Sequence, residues 1–171
     1  MKKSTKKLTV ASMLCALSVV LLLVGSFVEV MDLSASALAS FIVIFAVIEL
    51  GGAYPLLIWA VSSALAVFLL PNKLPAIYFS LFFGWYPIVK NIYERLHTAL
   101  SWFLKVLSFS ASFGLITYIG VSIVGAEELT DTLTPLLIAL GAVVFVVYDI
   151  ALTRIISAYI RVWRQKIKFK L

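Results

Sequence analysis

Charge is what this sequence has little of. Only 13% of its 171 residues are Asp, Glu, Lys or Arg, while 63% are hydrophobic. Mean hydropathy is +1.12. A soluble domain is about one quarter charged and about half apolar. So few charges cannot keep a folded surface wet, and lipid must solvate most of the chain. Cysteine and histidine are nearly absent, with one of each, Cys15 and His97. An intrachain disulfide is therefore excluded. The usual zinc ligand set cannot be assembled, so no metal site and no cofactor is expected. No apolar–polar alternation runs long enough to build a membrane barrel. Phosphate loops, H-E-x-x-H and nucleophile elbows are missing too. No catalytic residue is assigned, and the chain is not expected to be an enzyme.

What is present is a series of long apolar runs. They predict an all-α, polytopic membrane protein forming one integral domain over residues 1–171. Six helices are expected, at roughly 8–28, 33–50, 53–70, 76–96, 100–124 and 134–160, each near the roughly 20 residues that one span needs. Asp32, with Ser34 as an alternative, is expected to cap helix two. Gly51-Gly52 closes that helix. Pro55 and Pro135 fall in the first turns of helices three and six, where a missing N–H costs little. The basic start Lys2, Lys3, Lys6 and Lys7 mimics a signal peptide. The apolar run after it is longer than an h-region and no A-x-A site follows, so it is read as a retained first helix.

Six spans with both termini in the cytoplasm put Lys90, Arg95, Lys105, Arg154 and both basic ends on the inner side. Lys73 is then the one cation outside, with Glu29, Asp32, Glu127, Glu128 and Asp131 in outer loops. That asymmetry is what sets the orientation of helical membrane proteins. It accounts for the net charge of +6 without nucleic acid, since basic ends lie against an anionic leaflet. The expected location is the bacterial inner membrane, as a multi-pass protein.

Tyr78 to Arg95 is the stretch on which the rest is organised. It begins as an aromatic-rich helix, carries Pro87, and ends in Lys90, Asn91, Glu94 and Arg95. A lysine so near an apolar run is costly in lipid and must face protein or snorkel. At the rise of an α-helix, Glu49, Lys90 and Asp149 each lie roughly 21–24 Å below the outer ends of their helices. With Arg154 they predict an intramembrane polar network or a neutral structural lock. Asn72, Lys73, Tyr78 and Tyr118 gather at the outer rim and are the candidate substrate-binding residues. The alternative there is solvated loop residues and interface aromatics. On helix one, Ser12 and Ala16 are four apart, as are Ala11 and Cys15. Small residues at that spacing admit a close helix, either a partner subunit or a neighbour in the chain. The segment 90–105 mixes aromatics with cations and is expected to bend along the interface. His97 within it is read as solvated.

The start KKLTVASMLCALSVVLLL and the six-helix outline resemble the substrate-binding S components of energy-coupling factor vitamin transporters. In that family, alanines four apart on helix one meet a shared coupling subunit. Here Ser12-x-x-x-Ala16 and Ala11-x-x-x-Cys15 stand at that spacing. The resemblance implies uptake of a small molecule such as a vitamin, with a coupling subunit and ATPases as partners. The segments LPNK, FFGWYPIVKNIYERL and VVYDIALTR also look like those of a family of bacterial six-helix membrane proteins that carries no assigned activity. A membrane-embedded structural or interaction protein without a substrate is the alternative.

Overall fold

A computed structural model describes residues 2–124 and 127–163. The described chain is all-helical, with no strand among the described residues. Its elements are α1 (Lys2–Phe27), a 3-10 turn (Glu29–Met31), α2 (Asp32–Glu49), α3 (Tyr54–Leu69), α4 (Leu74–Tyr78), α5 (Tyr86–Tyr93), α6 (Thr98–Val124) and α7 (Glu127–Ala158). A π turn (Phe79–Phe83) joins α4 to α5, and another (Tyr159–Trp163) follows α7. Among the described residues four helices are long and apolar enough to cross a bilayer, Ser4–Phe27, Asp32–Glu49, Thr98–Ile119 and Ile138–Arg161. Helix α3 is apolar but shorter. The chain divides into two compact units, one ending at Lys105 and one beginning at Val106.

In the first unit α2 is the central element, touching α1, α3, α4, α5 and the π turn between them. Small side chains make this possible. Ala35, Ser36, Ala39, Ser40 and Ala46 are all buried. Gly25 of α1 lies directly on the Ala35 Cβ, so any side chain there would collide with α2. Helix α1 buries Ala11, Cys15, Ser18, Leu22 and Ser26 and exposes Met13, Leu17, Val20 and Val24. The buried face is mostly small residues, Leu22 apart, and large apolar ones lie outward, as expected where lipid is as apolar as the core.

The helices alternate in direction. Lys7 Nζ donates to the Leu50 carbonyl at 3.0 Å, placing the start of α1 beside the end of α2. Gly51 and Gly52 take φ of +62° and +59°, the left-handed conformation that ends a helix cheaply only for glycine. Helix α3 then returns, with Pro55 in its first turn as expected. At the far end, Ser36 Oγ donates to the Pro75 carbonyl at 3.0 Å, tying the start of α4 to the start of α2.

Two expectations for the first unit are corrected. The fourth helix is not continuous over 76–96. Pro87 has no N–H for the Phe83 carbonyl and its ring crowds that turn, and Gly84 weakens the helix further. The ladder slips at this point, and Gly84 N donates to the Phe79 carbonyl, five residues back, at 2.7 Å. Asp32 does not cap α2. It is the first residue of that helix, Met31 holds the cap position, and no side chain bonds the end.

In the second unit, α6 and α7 run antiparallel. Phe109 stacks on Phe145 with centroids 4.6 Å apart. One turn on, Phe113 fills the space beside Gly141. The helical backbone of α7 begins at Glu127, so Pro135 lies within it rather than in its first turn. Gly125 and the basic tail from Arg164 lie outside the described residues.

Candidate functional site

Helix α2 is roughly 27 Å long at 1.5 Å per residue, and the first unit gathers polar side chains at both of its ends. At the first, Asp32 is buried. The Asn72 amide Nδ2 donates to its carboxylate, at 3.1 Å from Oδ2 and 3.4 Å from Oδ1. Asn72 Oδ1 accepts from the Leu74 backbone N–H at 3.0 Å, which starts α4. Tyr78 is partly buried and feels the Asp32 charge. Ser36, four residues past Asp32, donates to the Asp32 carbonyl as well as to that of Pro75. The Pro71–Pro75 loop is thus fastened to α2 by side chains from both partners.

Of the four rim candidates, Asn72 and Tyr78 meet in this cluster. Lys73 turns away, and its Nζ donates to the Val67 and Leu70 carbonyls at 2.8 and 2.6 Å, closing the end of α3. A cation there also suits the negative end of a helix dipole. Tyr118 is exposed on α6 in the second unit. Asp32 is the member that the sequence assigns to an outer loop. Its position at the head of a small-residue helix is consistent with both a cap and a buried partner, and no sequence signal separates the two.

At the other end of α2, Glu49 is half-buried in the last turn. Lys90 is fully buried, and its Nζ lies 3.3 Å from Glu94 Oε1. Lys105 Nζ approaches the same oxygen at 3.8 Å. Glu94 is not among the residues expected in the network. Its spacing of four from Lys90 is the available signal, since such positions share a helix face. Asp149 is buried on α7 and Arg154 is exposed, both in the second unit. Lys7, bonded to the Leu50 carbonyl just past Glu49, lies 6.0 Å from the Tyr54 ring centroid.

Between the two ends lies the break in the fourth helix. Trp59 Nε1 donates to the Ser80 carbonyl at 3.1 Å, taking up an acceptor within the π turn. Gly84 packs directly on the Trp59 ring. Ser63, one turn along α3 from Trp59, is buried and its hydroxyl has no partner. No group of three or more metal-ligating side chains occurs among the described residues.

No known protein family, curated protein or solved structure matches this chain. Its function must be argued from the residues themselves. On α1, Ala11 and Cys15 are buried while Ser12 and Ala16 are exposed. Cys15 accepts from Ser62 of α3, with Oγ to Sγ at 3.2 Å. Half of the candidate docking stripe therefore packs within the chain, and half faces outward.

Proposed function

We propose that this chain is an integral membrane subunit that binds a small polar molecule, such as a vitamin, for uptake. The observation that carries this reading is the discontinuous helix from α4 to α5, set between buried Asp32 with its partner Asn72 and buried Lys90 with its partner Glu94. Irregular backbone at membrane depth is tolerated where protein or a cavity surrounds it, and it recurs at solute sites of transporters. We place six spans in the membrane, counting α3 and the broken α4–α5 segment beside the four long helices. Both termini then face the cytoplasm of a bacterial cell. The cations Lys7, Lys90, Arg95 and Lys105 share that side, in line with the usual bias of inner loops.

In this reading the solute enters at the Asp32 end, past Asn72, Lys73 and Tyr78. The same count of spans assigns Tyr118 to the outer side of the membrane. The outward small residues Ser12 and Ala16 would meet a coupling subunit, and Ala11 and Cys15 would hold α1 in place behind them. ATPases acting through that subunit would supply the energy. A second reading, an interaction protein without a substrate, draws support from the close packing of Gly84 on Trp59 at the break.

Affinity purification from native membranes in mild detergent, with mass spectrometry for proteins and small molecules, tests the first reading. Co-purified ATPase and coupling subunits, or a retained small molecule, support it. A ligand-free protein without those partners would favour the second.

A further inference from the structure

We propose that the junction between α5 and α6 seats the phosphate of an anionic phospholipid headgroup, bound by Arg95 and Lys105 beside Trp102. The inference rests on the membrane-spanning reading of the chain and is independent of uptake.

The cations come first. Lys90 and Lys105 both approach one oxygen of Glu94, Oε1, at 3.3 and 3.8 Å. The Lys105 contact is the longer of the two. Lys105 Nζ also lies 5.5 Å from the Trp102 ring centroid, within cation–π range. Its side chain is only 8% exposed, and its head lies between a half-exposed carboxylate and a half-exposed indole, at 39% and 47% exposure. The cluster reaches the surface through Glu94 and Trp102. Arg95, next to Glu94 in sequence, is exposed. Its planar fork suits bidentate contact with phosphate oxygens, while an ammonium adds a point charge.

The surroundings decide what carries the phosphate. Leu96, Leu100, Trp102 and Phe103, in the same stretch of chain as these cations, are all exposed. Cations alone would suit a free phosphate. Large apolar side chains interleaved with them suit a ligand that brings its own apolar tails. Tryptophan at such a level is what a bilayer interface selects, and basic pockets between membrane helices take lipid headgroups.

The test uses the full chain in phosphatidylcholine nanodiscs, with phosphatidylglycerol brominated near its headgroup introduced in steps. Comparison with Trp102→Phe isolates the signal of that indole. Quenching of Trp102 should saturate at a low fraction of the brominated anionic lipid, several-fold below that needed with brominated phosphatidylcholine. Arg95→Gln and Lys105→Gln should each remove most of that preference. Arg95 is exposed, so its variant tests the site even if Lys105→Gln fails to fold. Equal quenching by the two lipids would overturn the proposal, as would a preference that survives Arg95→Gln. Inorganic phosphate at millimolar concentration should not compete, and full competition by it would transfer the site to a soluble anion and sink the lipid assignment.

Discussion

The amide of Asn72 reaches across 40 positions of sequence to the carboxylate of Asp32, at 3.1 Å from Oδ2. The bond joins a loop between two prolines to the first residue of the central helix. It is a polar tie at that end of the first unit, supported by Ser36 on Pro75.

Removing this tie should be felt. A hydrogen bond to a charged, buried acceptor contributes about 1.5–3 kcal/mol. Asn72→Ala is expected to lower stability by about that amount, measured by reversible unfolding in mixed micelles. Wild-type stability in the variant would mean that the loop is held by other contacts.

Lys90 is fully buried beside Glu94. Truncating one member of a buried pair costs about 3–5 kcal/mol when the other stays buried. Glu94 is partly exposed, so Lys90→Ala is expected toward the lower end of that range. Thermal unfolding in detergent reads it. An unchanged midpoint would mean that the lysine head lies in the interface and not in the protein.

At Gly84 an added methyl would run into the Trp59 ring and come within 2.8 Å of the Phe79 carbonyl oxygen. Overpacking of this kind costs about 1–3 kcal/mol. Gly84→Ala is expected to be destabilising, and Trp59→Leu should recover part of the loss. Strict additivity of the two changes in a double-mutant cycle would show that they do not meet.

Ser63 gives the opposite sign. Its buried hydroxyl has no partner, and a buried polar group without one destabilises the fold by about 1–3 kcal/mol. Alanine is also the better helix former. Ser63→Ala is therefore expected to raise the unfolding midpoint. A fall would reveal a partner for that hydroxyl in the membrane.

Much of the fold is legible in the sequence because its signals are local. Apolar runs, Gly51-Gly52, Pro55 and the break at Pro71–Pro75 each act on their own neighbours, and the helices fall close to where these residues put them. The interruption at Phe79–Phe83 is signalled by Gly84 and Pro87, yet the Trp59 indole from another helix that takes up the Ser80 carbonyl within it is not. The candidate sites are less legible. Asn72 and Tyr78 stand out by their place beside a constrained loop, but Asp32, the partner of Asn72, carries the signature of a cap. Lys90 announces a need for a partner through its depth. The i, i+4 spacing to Glu94 is visible, but Glu94 has equal claim to solvent at the end of its helix.

The sequence by itself determined that the chain is helical and apolar enough to need lipid, and which residues punctuate its helices. Those properties follow from composition and from interactions within a few residues. Only the tertiary structure decided that Asp32 turns to Asn72, that Lys73 closes α3, and that Lys105 joins Lys90 on Glu94. Such choices belong to helix packing. A short polar side chain in an apolar interior must find a partner within about 3 Å, and which partner stands there depends on which helices meet.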